Sequence, residues 1–264
     1  MSETETEPKG EPKGEPKGER ISKVMAHAGL CSRRDAERWI AEGRVKVDGK
    51  TLTKPGVVVT ADSKIFVDGE RLPTKEEPRL WRYYKPNNLI VSHNDPRGRL
   101  TVFDTLPKEM GRVISIGRLD LTSEGLLLLT NNGDLARKLE HPDTGWTRRY
   151  RVRVHGQVNE DDLAKLKHGV TIDDVRYGAI RATLDRAQES HSAWITIAIQ
   201  EGKNREIRRI MEHIGLTVTR LIRTGYGPFQ LGTLEERAIL EVRRRVMKDQ
   251  LGSFLKEIGA EFKK

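Results

Sequence analysis

Several features that would narrow the function of this protein are missing from its sequence. The 264 residues include a single cysteine, Cys31, which excludes an internal disulfide framework and any CxxC zinc or redox motif. The longest apolar run surrounds Leu126–Leu129 and is far too short for a membrane-spanning helix. The first twenty residues are polar and lack the apolar segment of a secretory signal. We therefore expect a cytoplasmic protein with no membrane partner.

Motifs for common cofactors and hydrolytic sites are also absent. No GxGxxG or P-loop sequence is present, which excludes a Rossmann cofactor site and a nucleotide phosphate loop. The seven histidines show no HExxH or other ligand spacing, and no GxSxG nucleophile elbow occurs. We therefore expect neither a metal ion nor a small-molecule cofactor. A site in this chain has to be made from acids, arginines and aromatic side chains.

The charge balance indicates a polyanionic partner. Lys and Arg number 48 against 39 Asp and Glu, which gives a formal net charge of +9 and a pI near 9.6. The first part of the chain, residues 1–19, repeats the unit EPKG, and it has nothing apolar to bury. This composition predicts a disordered tail, either inert or in loose electrostatic contact with RNA.

Residues 20–68 are predicted to form a small domain of two helices and a short sheet. Apolar residues at helical spacing follow Ile21 as far as Gly29, and a second helix has Ser32 as its N-cap and ends at Gly43. "RVKVDGK" and "KIFVDGE" both alternate into an Asp-Gly pair, which is typical of a hairpin turn.

Cations surround the second helix and the first hairpin of this domain. Arg33, Arg34 and Lys46 are the leading candidates for phosphate contacts, with Arg38, Arg44 and Lys50 nearby in sequence. The alternative is a solvated helix face. The segment "GLCSRRDAERWIAEGRVKVDGK" resembles the S4 RNA-binding module first known from ribosomal protein S4. That resemblance implies binding to structured RNA.

The rest of the chain is predicted to be an α+β domain with a mainly antiparallel sheet. A proline-bracketed linker covers 69–78, the second domain covers 79–247, and a C-terminal extension covers 248–264. Strands are predicted at "LWRYYK", "RVISIG", "GLLLLT", "YRVRVHG", "GAIRATLD", "AWITIAIQ" and "TVTRLIRTG". Helices are predicted at "DLARKLE" and "REIRRIMEHIG". Hairpin-length gaps and the lack of regular strand-helix alternation favour antiparallel pairing.

Asp120, in "GRLDLTSEGLLLLT", is the best-placed acid for chemistry. Strands on both sides would hold its loop on a rigid sheet, where functional groups concentrate. A turn or cap aspartate is the structural alternative. Arg208, with Arg205 and Arg209, crowds the start of a predicted helix, where cations oppose the macrodipole. At least one of these arginines is therefore expected to face a phosphate or a carboxylate such as Asp120, the alternative being solvated side chains.

Tyr150 begins a predicted strand and alternates with Val152 and Val154, so that its ring faces the apolar side. Core packing is the ordinary role of a residue in this position. If the ring instead faces a pocket, it can stack on a nucleic-acid base.

Ordered motifs in the second domain resemble the RsuA/RluB family of ribosomal RNA pseudouridine synthases. They are "YYKPNNLIVS", "NDPRGRLTVFDTLP", "GRLDLTSEGLLLLT", "RRYRVRVHGQV" and "EGKNREIRRIMEHIGLTVTRLIRTGYG". The resemblance covers residues 20–245 and is strongest to the large-subunit synthase B branch. It implies an S4-type domain followed by a pseudouridine synthase domain, and isomerisation of uridine to pseudouridine without cofactor or metal.

The resemblance also implies roles for individual residues. Asp120 would be the essential acid, attacking the ribose or the base, and Tyr150 would stack on the flipped uracil. Arg208 would pair with Asp120, and Arg118 would fill the space that the flipped nucleotide leaves in the RNA. Lys85 matches a structural lysine of the family. One departure is "KPNN" in place of KPxG, where Asn88 can adopt a left-handed turn almost as glycine does.

The sequence thus predicts a monomeric, cytoplasmic enzyme that modifies ribosomal RNA, in the large subunit or an assembly intermediate of it. An isomerase that holds the detached base needs only one carboxylate, whereas a hydrolytic glycosidase ordinarily uses two. The alternative is a non-catalytic ribosome-associated RNA-binding protein. An S4-linked methyltransferase would require a glycine-rich cofactor loop, which the sequence lacks.

Overall fold

The chain divides into two compact units, Met1–Lys75 and Glu76–Lys264. The computed structural model describes residues 18–186, 191–260 and 262. Residues 1–17 of the predicted tail therefore lie outside the described part of the chain. The division between the units falls inside the segment 69–78 that the sequence marks as a linker.

The first unit packs two helices against short antiparallel sheets. Its elements are β1 (Glu19–Arg20), α1 (Ile21–His27), α2 (Arg33–Ala41), β2 (Val45–Val47), β3 (Lys50–Thr51), β4 (Val58–Val59), β5 (Ile65–Val67) and β6 (Glu70–Arg71). Strand β1 pairs with β4, and the other four form a sheet in the order β3-β2-β5-β6. Buried apolar residues from both helices and from the strands make one core.

The helix N-cap and the two hairpin turns that were predicted for this unit are confirmed. Ser32 Oγ accepts from the backbone N–H of Asp35 over 3.0 Å, and the Asp35 carboxylate accepts in return from the N–H of Ser32, so the two residues form a capping box. In both Asp-Gly pairs, Asp48-Gly49 and Asp68-Gly69, each residue has a positive φ. This is the backbone of a type I′ turn, which matches the twist of a two-residue hairpin.

The second unit is built on one nine-stranded sheet. Its strands are β7 (Leu80–Lys85), β8 (Ile114–Ile116), β9 (Glu124–Thr130), β10 (Arg148–His155), β13 (Arg181–Leu184), β14 (Ser192–Ile199), β15 (Thr217–Tyr226), β16 (Phe229–Gln230) and β17 (Ile239–Glu241). Strands β11 (Val170–Ile172) and β12 (Val175–Tyr177) form a separate hairpin. The helices are α3 (Gly133–Glu140), α4 (Glu160–Lys165), α5 (Glu206–His213) and α6 (Arg244–Glu257).

The main path of the sheet runs β13-β14-β10-β15-β9-β7-β17, with β16 added to β15 and β8 added to β9. Every described pairing in it is antiparallel except that of β9 with β15. The predicted α+β class with a mainly antiparallel sheet is therefore confirmed. Helix α4, the β11–β12 hairpin, β16 and β17 are additions to the predicted elements.

Strand β9, which carries the leucine run, lies inside the sheet between β15 and β7 and is buried on both faces. Leu127 and Leu129 belong to a core that includes apolar residues of α4 and α5. Leu126 and Leu128 belong to a second core that includes residues of α3 and α6. A strand that is covered on both sides has no polar alternation, which explains the continuous apolar sequence.

Helix α6 crosses the boundary that was predicted between residues 247 and 248. Met247, Leu251 and Leu255 recur at intervals of four and are buried in the second core. Because this stripe packs on the same cluster as the leucines of β9, the helix extends the second unit beyond the predicted limit of the domain.

The parallel junction of β9 and β15 depends on a glycine. Gly125 pairs with Arg223 and has a φ of +97°, and a Cβ at this position would lie 2.4 Å from the carbonyl oxygen of Arg223. Only glycine allows the two backbones to approach so closely. The close approach places the loop before β9 next to the end of β15.

Candidate active site

A pocket of about 310 Å³ opens where the loop before β9 meets β10, β15 and α5. Asp120 and Arg118 line it from the loop, Tyr150 lines it from β10, and Arg223 lines it from β15. The segment 202–207 at the start of α5 closes the remaining side. Asp120 is half-buried, so that its carboxylate is shielded by the walls while remaining accessible from the pocket.

Three successive carbonyl groups after Asp120 are held by donors from other parts of the second unit. The carbonyl oxygen of Leu121 accepts from the backbone N–H of Asn88 over 2.9 Å. The carbonyl oxygen of Thr122 accepts from Arg208 Nη2 over 2.9 Å, and that of Ser123 accepts from Lys85 Nζ over 2.8 Å. The position of the acid is therefore fixed through its backbone, which is the support that a reactive side chain requires.

Lys85 lies beneath this loop with no exposed surface. Its ammonium group also donates to the carbonyl oxygen of Pro86 over 2.9 Å. Burial lowers the pKa of Lys85 to about 8, although the negative charges of Glu124 and Asp120 act in the opposite direction. The structural role that the resemblance implies for this lysine agrees with its contacts, since it binds the loop backbone and does not line the pocket.

The expected ion pair between Arg208 and Asp120 is not formed in the described part of the chain. Arg208 instead donates to the carbonyl oxygens of Thr122 and Val218, which connects the Asp120 loop to the start of β15. Burial and the nearby charge of Arg205 lower the pKa of Arg208, while the charge of Asp120 raises it. The expectation was wrong in its geometry, because the guanidinium binds the loop backbone and acts on the acid only through its charge.

Tyr150 and Arg118 both line the pocket, but they differ in their exposure to solvent. The ring of Tyr150 is only 8% exposed, and it belongs both to the first apolar core and to the pocket wall. Arg118 is exposed at the rim. Tyr150 is therefore both a core residue and a pocket residue, although the sequence presented these as alternatives.

Two carboxyl groups that were not among the predicted site residues lie at the start of α5, one buried (Glu206) and one partly exposed (Glu201). Glu206 is 3% exposed and its carboxylate accepts from the N–H of Lys203 over 2.9 Å. The neighbouring carboxyl group of Glu201 is bound by Lys203 Nζ and by the N–H of Gly178. Burial and the neighbouring Glu201 raise the pKa of Glu206 to about 7.

A signal for Glu206 is present in the sequence. It precedes Ile210 by four positions, and residues at this spacing share one face of a helix. The same logic applies to Arg223, which is two positions after the buried Leu221 on one strand and therefore faces the same side. This spacing therefore predicts that the side chains of Glu206 and Arg223 are on the buried faces of their elements.

The basic candidates of the first unit are on its surface. Arg33 and Arg34 are exposed at the start of α2, and Lys46 is exposed between the buried Val45 and Val47. Arg44 differs from them because Asp68 binds its guanidinium with two hydrogen bonds of 2.9 and 2.6 Å, and its ring partner Trp39 lies 4.5 Å away. Arg44 therefore has a structural role in the unit.

The expected conformation at the departure from KPxG is confirmed. Asn88 has a φ of 61° and its N–H is the donor to the carbonyl oxygen of Leu121. Asparagine therefore takes the left-handed backbone that glycine would take, and the contact with the Asp120 loop is kept.

A basic module of two helices and hairpins thus precedes a domain in which a mixed sheet carries a pocket lined by Asp120, Tyr150 and several arginines. The family model for RNA pseudouridylate synthase matches residues 79–213, and the model for the S4 domain matches residues 19–65. The chain therefore belongs to the RNA pseudouridylate synthases, in their RsuA/RluB family, and is an isomerase of that family.

Individual relatives agree with this assignment. The chain is 48% identical over 230 residues to an uncharacterized RNA pseudouridine synthase of Rickettsia bellii, covering 87% of this chain and 99% of the relative. It is 44% identical over 219 residues to the ribosomal large subunit pseudouridine synthase B of Yersinia pestis, covering 80% and 68%. A crystal structure of a pseudouridylate synthase shares the fold, with a TM-score of 0.62 at 23% identity over 88% of this chain and 99% of that one.

Proposed function

We propose that this protein converts a specific uridine of large-subunit ribosomal RNA to pseudouridine, with Asp120 as the acid that attacks the flipped nucleotide. The observation that carries the proposal is the pocket, in which a half-buried carboxylate and a buried tyrosine ring line one cavity. A base that is extruded from the RNA can enter such a cavity and stack there. The extrusion costs a few kcal/mol, which phosphate contacts elsewhere can offset.

The reaction rearranges bonds without adding or removing atoms. The bond between N1 of uracil and C1′ of the ribose breaks, the uracil turns, and C5 forms the new bond to C1′. The C5 proton is then lost and N1 carries a proton in the product. Asp120 attacks either C1′ or the base to assist the first step, and the bond that it forms breaks again before the product leaves, so that the carboxylate is regenerated. Tyr150 keeps the detached ring in place. Apolar walls from Leu119 and Leu221 exclude the water that would compete for C1′.

The proposed RNA substrate follows from the relatives and from the first unit. The Yersinia pestis relative is named as a synthase of the large ribosomal subunit. An S4 domain with exposed Arg33, Arg34 and Lys46 supplies phosphate contacts to structured RNA.

Within the described residues, none of the helices combines the length and the apolar character needed to span a bilayer. We place the protein in the cytoplasm as a monomer, acting on ribosomal RNA or on an assembly particle.

Mapping pseudouridines in ribosomal RNA from cells that lack the protein tests this proposal. We expect one position, or a small group of positions, in large-subunit RNA to remain uridine, and the purified protein to restore the modification in vitro. A non-catalytic RNA-binding protein would bind the RNA and form no product. Complete modification in the deletion cells, together with no product in vitro, would contradict the proposal.

A further inference from the structure

One arginine in the pocket is buried and has an unused donor. Arg223 is only 2% exposed, and its backbone pairs with Gly125 on one side and with Tyr150 on the other. Its guanidinium lies 5.2 Å from the centroid of the Tyr226 ring, and Nε donates to the carbonyl oxygen of Leu126 over 2.7 Å. These contacts fix the orientation of the group at the junction of β9 and β15.

The Nη2 atom of Arg223 is buried and has no hydrogen-bond partner among the described residues. The side chain also makes no ion pair with a described carboxylate, and its positive charge contributes to the lowered pKa of Lys85. A buried donor without a partner destabilises the folded state, and more so when it is charged. Buried charges are otherwise paired in proteins, so this arrangement indicates a ligand that supplies the partner.

The other pocket arginines differ from Arg223. Arg148 donates from both Nη atoms, to the carbonyl oxygen of Gln200 and to the hydroxyl of Tyr226. Arg118 and Arg205 are exposed, so water satisfies their donors. Arg223 therefore combines three properties: it lines the pocket with Asp120, it is buried, and it keeps a donor unused.

We propose that Arg223 is a catalytic residue whose Nη2 donates to a carbonyl oxygen of the flipped uracil and stabilises the base as it separates from the ribose. This inference rests on the proposed function and assigns it a further residue. When the N1–C1′ bond breaks with its electron pair on the base, negative charge spreads over N1, O2 and O4 of the uracil. A fixed cation in a shielded site strengthens its hydrogen bond as this charge grows, which favours the transition state over the bound uridine.

The test combines substitutions in the protein with substitutions in the substrate. The RNA carries uridine, 2-thiouridine or 4-thiouridine at the target position, because sulfur accepts hydrogen bonds more weakly than oxygen. Single-turnover rates of product formation are measured for the wild type, Arg223→Gln and Arg223→Lys. Arg82→Gln is the matched control, since Arg82 also donates to a strand carbonyl, that of Gln230 over 2.8 Å, but lies outside the pocket.

We expect Arg223→Gln to lower the single-turnover rate by about 10²–10³-fold, the usual loss for one charge-stabilising donor, with RNA affinity unchanged within about threefold. Arg223→Lys keeps the positive charge but lacks the planar guanidinium group. Its rate should lie between those of the wild type and Arg223→Gln. The wild type should react more slowly with one of the two thio substrates than with uridine RNA. The same thio substitution should lower the rate of Arg223→Gln only a little further, because the hydrogen bond is already lost in that variant. The rate of Arg82→Gln should equal that of the wild type.

Fully multiplicative effects of the thio group and the Arg223 substitution would overturn the inference, because they would mean that the two groups do not touch. Equal wild-type rates on all three substrates would overturn it without reference to any variant, so the test does not depend on the folding of Arg223→Gln. Wild-type rates in Arg223→Gln, alongside product formation by the wild type, would overturn this inference alone. Absence of product from the wild type on uridine RNA would overturn the proposed function and the inference together.

Discussion

Lys85 donates from its buried ammonium group to the carbonyl oxygen of Ser123 over 2.8 Å, three residues after Asp120. A side chain with no exposed surface thus fixes the backbone that carries the acid. This arrangement separates two functions that the sequence places close together in "GRLDLTSE": the carboxylate lines the pocket, and the following carbonyl groups accept hydrogen bonds from Asn88, Arg208 and Lys85.

Substitution of Lys85 by methionine is expected to release the loop. The shape of the side chain is largely kept, but the carbonyl oxygens of Pro86 and Ser123 lose their donor. We expect the free energy of unfolding to fall by about 1–3 kcal/mol and the single-turnover rate to fall at least about tenfold. Urea unfolding and the pseudouridine assay measure these effects. Lys138→Met is the control, because Lys138 is an exposed partner of Glu257. A wild-type rate in Lys85→Met would show that the loop does not need this support.

Glu206 is expected to make stability depend on pH. Its carboxyl has a pKa of about 7 in the folded protein and about 4.5 when unfolded, so the folded state keeps the proton more tightly. The contribution of this group is fully present below pH 4.5 and is lost as the pH rises through 7. Glu206→Gln cannot ionise, and its stability relative to the wild type should therefore increase between pH 5 and pH 7.5, by about 1–3 kcal/mol. Urea unfolding at both pH values measures the difference, and a constant difference would contradict the buried proton.

Gly125 is expected to tolerate no side chain. Alanine there would place its Cβ 2.4 Å from the carbonyl oxygen of Arg223 in a left-handed backbone. We expect a loss of about 3 kcal/mol or more, from strain and from separation of β9 and β15. Gly145→Ala is the matched control, since Gly145 has a φ of 60° with open space around it, and it should cost only about 1 kcal/mol. Equal losses in thermal unfolding would mean that β15 can move away from β9.

The exposed cations of the first unit are expected to set the salt dependence of RNA binding. A triple variant with Arg33, Arg34 and Lys46 changed to Gln should reduce the slope of log affinity against log salt by about 2, if each cation meets one phosphate. Arg44→Gln is the comparison, because Arg44 is bound by Asp68 within the unit and should leave the slope nearly unchanged. Filter-binding measurements over a range of salt concentrations give both slopes. An unaltered slope in the triple variant would place the RNA contacts elsewhere.

Elements with strong local signals could be predicted from the sequence. The capping box at Ser32, the two Asp-Gly turns and the leucine run of β9 each follow from interactions between near neighbours or from a clear apolar pattern. The parallel pairing of β9 with β15 could not be predicted in the same way. It joins Glu124 to Ile222, nearly a hundred residues apart, and its register depends on how the two cores close around the sheet.

The residues of the candidate site could likewise be predicted only in part from the sequence. Family motifs placed Asp120 and Tyr150 in one pocket, and they have that location. They did not place Arg208, whose partners are backbone carbonyls that any sequence would supply. Glu206 and Arg223 were overlooked because charged residues in amphipathic segments are usually assigned to the solvent face, although their spacing from Ile210 and Leu221 indicates the buried side.

The most direct test of the account is pseudouridine formation by Asp120→Asn under single-turnover conditions, measured beside its RNA affinity. Asparagine keeps the size of the side chain and the backbone contacts of the loop while removing the attacking carboxylate. We expect no detectable product, with an affinity for the target RNA within about threefold of the wild type. Product formation by Asp120→Asn at a rate close to that of the wild type would contradict it.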